Sequence, residues 1–83
     1  MDEISAILAR HPLREFELRR LYKLDPGFGA ICADYQVASA ALDHWRAMSR
    51  TGGPQALQKA EDYKRLVAEL EDEILAALEK ARE

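Results

Sequence analysis

Residues 42–63, LDHWRAMSRTGGPQALQKAEDY, contain the clearest turn in the chain and the start of a long helix. The run Thr51-Gly52-Gly53 is typical of a turn, and Pro54 suits the first position of a helix, where its missing N–H is not needed. Long helical patterns continue on both sides of this turn. The stretch therefore predicts two long helices that fold back on each other.

Apolar residues on both sides of the turn follow a heptad repeat. In residues 26–50 and again in residues 54–82, two interleaved series alternate in steps of three and four, which is typical of helices that pack along a seam. We expect an all-α protein built on an antiparallel, coiled-coil-like helical hairpin with arms 26–50 and 54–82. The predicted seam consists of Phe28, Ile31, Tyr35, Ala38, Leu42 and Trp45 in the first arm, and of Ala56, Ala60, Tyr63, Val67, Leu70, Ile74, Ala77 and Ala81 in the second.

Shorter helices are predicted before the hairpin, in residues 2–24. A first segment runs from Asp2 to about Arg10, and Pro12 begins a second helix. Asp25, directly before Pro26, is a suitable N-cap for the first hairpin arm because its carboxylate can accept free amide hydrogens. We expect the short helices to be arms or lids outside the main core. The apolar residues of the second one are taken as Leu13, Phe16, Leu21 and Leu24.

The hairpin seam does not account for all apolar residues of the two arms. At about 100° per residue, further leucines widen the apolar arc of the last helix to roughly 200°, while one neighbouring helix covers roughly 100°. We expect the short helices to cover part of this surplus and another subunit to cover the rest, giving a homo-oligomer, dimer or tetramer, that forms a helical bundle. The predicted interface residues are Val37, Met48, Leu57, Leu66, Leu75 and Leu78.

Length and composition favour one small domain spanning residues 1–83. The chain has 12 Lys and Arg against 15 Asp and Glu, and a single Cys. These values argue against a two-domain enzyme, a disulfide scaffold and a membrane protein. Because the first residues are acidic where a secretory signal would be basic, we expect a cytoplasmic protein.

Three groups of residues have a spacing that is shared with a known family. They are Leu21–Phe28 (LYKLDPGF), then Ile31, Tyr35 and Leu42, and finally Leu66, Leu70–Ile74 (LEDEI) and Leu78. This pattern resembles the YdcH-like family of small bacterial helical-hairpin proteins, although Glu71 stands where that family favours Lys. The resemblance implies a small cytoplasmic α-hairpin of unknown function, and it brings no catalytic residues.

No arrangement of catalytic or metal-binding residues is predicted. The acidic run around Glu69–Glu73 lacks a His at ligand spacing, so we interpret it as a solvated face on which Glu71→Lys would be nearly silent. His11 is interpreted as a helix-boundary residue and His44 as lying opposite the seam. Cys32 is interpreted as a core thiol, with an intermolecular bridge or a redox response as the alternative. We expect no enzyme activity, cofactor or metal.

One basic cluster suggests a second function. Arg14, Arg19, Arg20 and Lys23 lie close together in the predicted second helix and could contact RNA or DNA. The interleaved glutamates and the acidic pI of about 5.4 argue against that function. The leading hypothesis is therefore a non-enzymatic oligomerisation or protein-interaction module. The alternative is a small nucleic-acid-binding regulator that uses the basic helix.

Overall fold

The computed structural model describes residues 3–82, which form four α-helices and no strand. The helices are α1 (Ser5–Arg10), α2 (Glu15–Leu24), α3 (Pro26–Met48) and α4 (Gly53–Arg82), and a single 3₁₀ turn, Pro12–Arg14, precedes α2. The all-α prediction is thus confirmed. The predicted start of the first helix at Asp2 lies outside the described residues.

Helices α3 and α4 pack along each other as the predicted hairpin, in a molecule 46 Å long and about half as wide. Half of the predicted seam residues are fully buried, and almost all the others are half-buried. The heptad pattern therefore identified the pairing of the two long helices correctly. The buried seam residues are Phe28, Tyr35, Ala38, Leu42, Ala56, Ala60 and Ile74.

The backbone of the turn between α3 and α4 requires glycine at both position 52 and position 53. Gly53 adopts a φ of +76°, a backbone conformation that residues with a side chain rarely take. A Cβ on Gly52 would lie only 2.6 Å from the carbonyl oxygen of Met48, so no larger residue fits there without movement. The close approach of the backbone at this corner allows the chain to reverse direction in a short distance.

The start of α3 confirms the predicted cap. The Asp25 carboxylate oxygen Oδ1 accepts hydrogen bonds from the amides of Gly27 at 2.9 Å and Phe28 at 3.3 Å. Pro26 occupies the first turn of the helix, where it needs no intrahelical partner. This cap fixes the backbone at the corner where α2 ends and the first helix of the hairpin, α3, begins.

The short helices belong to the core, so the prediction that they lie outside it is wrong. Ile4, Ile7 and Leu18 are at most 1% exposed. They pack into one cluster with residues from the open end of the hairpin, namely Phe28, Cys32, Tyr35, Ile74 and Leu78. A small domain buries little apolar surface, and residues 4–18 add three fully buried side chains at this end.

Helices α1 and α2 cover only one side of the hairpin. The Gln36 side-chain oxygen accepts hydrogen bonds from the Ser5 hydroxyl at 3.1 Å and from the Ala6 amide at 2.9 Å, and these contacts fix α1 on α3. On α4, the same side carries Leu78 in the core cluster. The opposite side of the hairpin, and the half of it nearest the turn, have no covering helix among residues 3–82.

Candidate interaction surfaces

The uncovered side of the hairpin forms a mainly apolar surface, interrupted by the exposed residues Asp34 on α3 and Lys59 on α4, which we call the bare face. Its position follows from the helical rotation of about 100° per residue, which places Ala41 and Met48 on the side of α3 opposite Gln36. Leu66 occupies the matching side of α4. None of the residues of the bare face is fully buried in the single chain. They are Ile31, Ala41, Trp45 and Met48 on α3, and Tyr63, Leu66 and Leu70 on α4.

The six predicted interface residues do not share one surface. Leu57 and Leu66 are nine residues apart, which is a rotation of about 900°, so they point to opposite sides of α4. Met48 and Leu66, 42% and 40% exposed, lie on the bare face. Val37 is 71% exposed and lies at the outer edge of that face.

Leu78 is not an interface residue, because the chain itself buries it. It is 2% exposed and packs in the core cluster. Leu75 is half-buried and packs against the same cluster. The prediction is wrong at Leu78, because α1 and α2 cover more of α4 than the sequence suggested, and at the partly exposed Leu75 it stays a prediction.

The aromatic residues of the bare face are placed at the half of the hairpin nearest the turn. Trp45 is half-buried, and its ring meets the His44 ring edge-on, with centroids 5.0 Å apart. Tyr63 is half-buried on the facing helix. Aromatic residues that keep part of their surface exposed are enriched at the centres of protein interfaces. Trp45 is also the single tryptophan of the chain, so its fluorescence can report on this face.

The predicted basic cluster is partly neutralised. Arg14 donates to Glu17 at 2.8 Å and to Glu79 at 3.1 Å, and the Glu17 bond contributes most to raising the Arg14 pKa. Arg19 donates to Glu15 at 2.9 Å. Within residues 3–82, Arg20 and Lys23 form no ion pair. The cluster therefore presents two uncompensated cations where the sequence suggested four.

Glu71 is part of a polar contact between α1 and α4, so its assignment to a solvated face is wrong. Arg10 Nε donates to Glu71 Oε2 at 3.0 Å, and His11 Nε2 lies 2.8 Å from the same oxygen. Burial raises the pKa of the Glu71 carboxyl, but the hydrogen bonds from His11 and Arg10 outweigh it and hold the pKa below its usual value. The contact joins the end of α1 to the middle of α4.

We predict that Glu71→Lys destabilises the protein by about 1–3 kcal/mol, because it removes hydrogen bonds to an ionised carboxylate and places an ammonium group beside the Arg10 guanidinium. The stabilisation from Glu71 requires its ionised form. It should be full above the unfolded carboxyl pKa of about 4.3 and disappear as the pH falls through the lower folded value. Thermal melting of the wild type and of Glu71→Gln between neutral and acidic pH measures this stabilisation, as the difference in melting temperature at each pH.

Glu73→Lys is the matched control for the Glu71 variants. Glu73 lies on the same helix, is exposed, and forms no ion pair with another described residue. Its replacement should leave the melting temperature nearly unchanged. Equal melting temperatures for Glu71→Lys and Glu73→Lys would mean that the contact with α1 contributes nothing to stability.

The Cys32 thiol lies inside the core cluster. It is fully buried, and burial raises its pKa to about 11. The thiol is thus protonated at neutral pH and behaves as a small apolar group. Within residues 3–82, no group of three or more His, Cys, Asp or Glu side chains could hold a metal ion. In the same range, no helix is both long and apolar enough to cross a membrane.

Comparison with known proteins gives no family for this chain. The scan of family models, the search of curated proteins and the search of solved structures each found no match. The resemblance to the YdcH-like family stays a prediction.

Proposed function

We propose that the protein is a non-enzymatic self-association module in which the bare faces of two copies pack against each other. The observation that supports this is the one-sided covering of the hairpin. Helices α1 and α2 bury one side of α3 and α4, while the other side leaves Met48 and Leu66 exposed and Trp45 half-exposed. Two such sides together would make a four-helix bundle.

A second copy is the partner that fits this face best. The face consists of two antiparallel helices on which apolar residues outnumber the two charged ones, Asp34 and Lys59, and these two charges are opposite, so it offers no net charge for a differently charged partner to match. Two-fold symmetric dimers are the commonest oligomers, and they bring the same patch of each subunit together. For a chain of 83 residues with a thin core, burial of a second apolar side would also add stability.

The deciding experiment is sedimentation of a charge variant on the bare face. Leu66→Lys should convert a dimer at micromolar concentration into a monomer, because it places an ammonium group in an apolar interface. Leu57→Lys is the matched control: this leucine is 57% exposed on the opposite side of α4, so the dimer should persist. The fluorescence emission of Trp45 should shift to longer wavelength when the wild type is diluted. In Leu66→Lys the emission should already lie at the longer wavelength before dilution.

Two outcomes would contradict the proposal. One is a wild-type monomer at micromolar concentration, and the other is equal loss of the dimer in both leucine variants. The alternative function, nucleic-acid binding, stays a prediction. It draws less support from the structure than from the sequence, because Arg14 and Arg19 are bound to glutamates.

A further inference from the structure

A second exposed apolar surface lies on α2, away from the bare face. Leu13 in the 3₁₀ turn is 99% exposed, and on α2 Phe16 is 77% and Leu24 69% exposed. Phe16, Arg20 and Leu24 follow one another at spacings of four residues and form a single stripe. We call Leu13 and this stripe the outer face of α2. Three large apolar side chains left in water within residues 13–24 indicate a contact surface.

Grooves flank Phe16 on both sides, so the outer face is not flat. One groove, with a volume of about 800 Å³, lies between Phe16 and the start of α1, and Ile4 and Tyr22 line its apolar part. The other, of about 210 Å³, lies between α2 and the end of α4, where Leu21, Leu24 and Leu78 line it. Phe16 is therefore a ridge between two grooves, a shape that side chains of a packed helix can fill.

The charge around this ridge is positive. Glu15 and Glu17, the two acidic residues of α2, are held in ion pairs with Arg19 and Arg14. Arg20 and Lys23 have no ion pair within residues 3–82, and both line the larger groove. Packing two copies of this face together would oppose cation to cation, which disfavours self-association here.

We propose that the outer face of α2 binds an amphipathic helix of another protein, one whose apolar stripe is flanked by Asp or Glu. Leucine-sized side chains of that helix fill the two grooves beside Phe16, and its carboxylates pair with Arg20 and Lys23. The grooves favour a helix over a flat bilayer surface. A nucleic-acid phosphate backbone could pair with the cations but would leave Phe16 and the apolar linings of the two grooves in contact with water.

The test uses two designed helical peptides and the full chain. Both peptides carry leucines at spacings of three and four residues, flanked by glutamates in one peptide and by lysines in the other. Fluorescence anisotropy should show that the glutamate peptide binds and the lysine peptide does not. Phe16→Ala should weaken binding by about tenfold or more, as loss of a central aromatic anchor does. The double variant Arg20→Glu, Lys23→Glu should reverse the preference between the peptides.

Val37→Ala serves as the matched control, since Val37 is as exposed as Phe16 but lies on α3. It should bind the glutamate peptide like the wild type. So should Leu66→Lys, which separates this inference from the proposed self-association.

Three results would overturn the inference. They are no binding of the glutamate peptide by a folded wild type, equal binding of the two peptides, and tighter binding of anionic phospholipid vesicles or of single-stranded RNA than of the glutamate peptide.

Discussion

Replacing Leu18 with alanine should destabilise the protein by about 2–5 kcal/mol, the range for truncating a fully buried leucine. Leu18 is 0% exposed and packs in the cluster that joins α1 and α2 to the hairpin. In a domain of this size, such a loss is a large fraction of the total stability. Denaturant unfolding followed by circular dichroism measures it, with partial unfolding in buffer as the extreme result.

Phe16→Ala is the matched control on the same helix. Phe16 is the larger side chain and lies two residues away, but it is 77% exposed, so its loss should change the unfolding free energy by no more than about 0.5 kcal/mol. If Phe16→Ala were the more damaging variant, α2 would be rotated by about half a turn from the orientation described here.

The contrast between Leu18 and Phe16 shows what the sequence left undecided. The apolar residues predicted for α2 were Leu13, Phe16, Leu21 and Leu24, and Leu18 was not among them. The structure buries Leu18 fully and Leu21 in part, and it leaves Leu13, Phe16 and Leu24 exposed. One signal was present: Arg20 falls within the Phe16 stripe, and an unpaired arginine is rarely placed in a core.

The hairpin could be predicted because its information is local and repeated. The heptad series, the Gly52-Gly53 turn and the Asp25 cap each indicate structure within a few residues, and all three are confirmed. The role of Glu71 could not be predicted in this way. Its partners Arg10 and His11 lie about 60 residues earlier in the chain, and only the packing of α1 on the hairpin brings them together.

The candidate surfaces were predictable only in part, for the same reason. An excess of apolar residues on α4 was visible in the sequence, but the share that α1 and α2 cover depends on where those helices dock. Leu78 went to the core and Leu66 stayed exposed, although both belong to the same leucine-rich helix. Sequence spacing predicts which residues share a side of a helix, and the packing decides which side is covered.

Ile74→Ala should also cost about 2–5 kcal/mol, while Leu70→Ala should cost about 1–2 kcal/mol in the isolated chain. Ile74 is 0% exposed at the centre of the core cluster, whereas Leu70 is half-buried and reaches that cluster from the bare face. The two side chains are one helical turn apart and nearly equal in volume. Their different burial is therefore the reason for the different cost, and thermal melting at low protein concentration should show it.

Raising the protein concentration separates the roles of these two residues. Association stabilises the folded state by mass action, so the melting temperature of a self-associating protein rises with concentration. Ile74→Ala leaves the bare face intact, so its melting temperature should rise with concentration as much as that of the wild type. The difference in melting temperature between the two proteins should therefore stay constant. Leu70→Ala truncates the bare face itself, so its melting temperature should rise less with concentration. Its difference in melting temperature from the wild type should therefore grow. A Leu70→Ala deficit that stays constant at all concentrations would place Leu70 in the core of one chain and remove it from any contact between two.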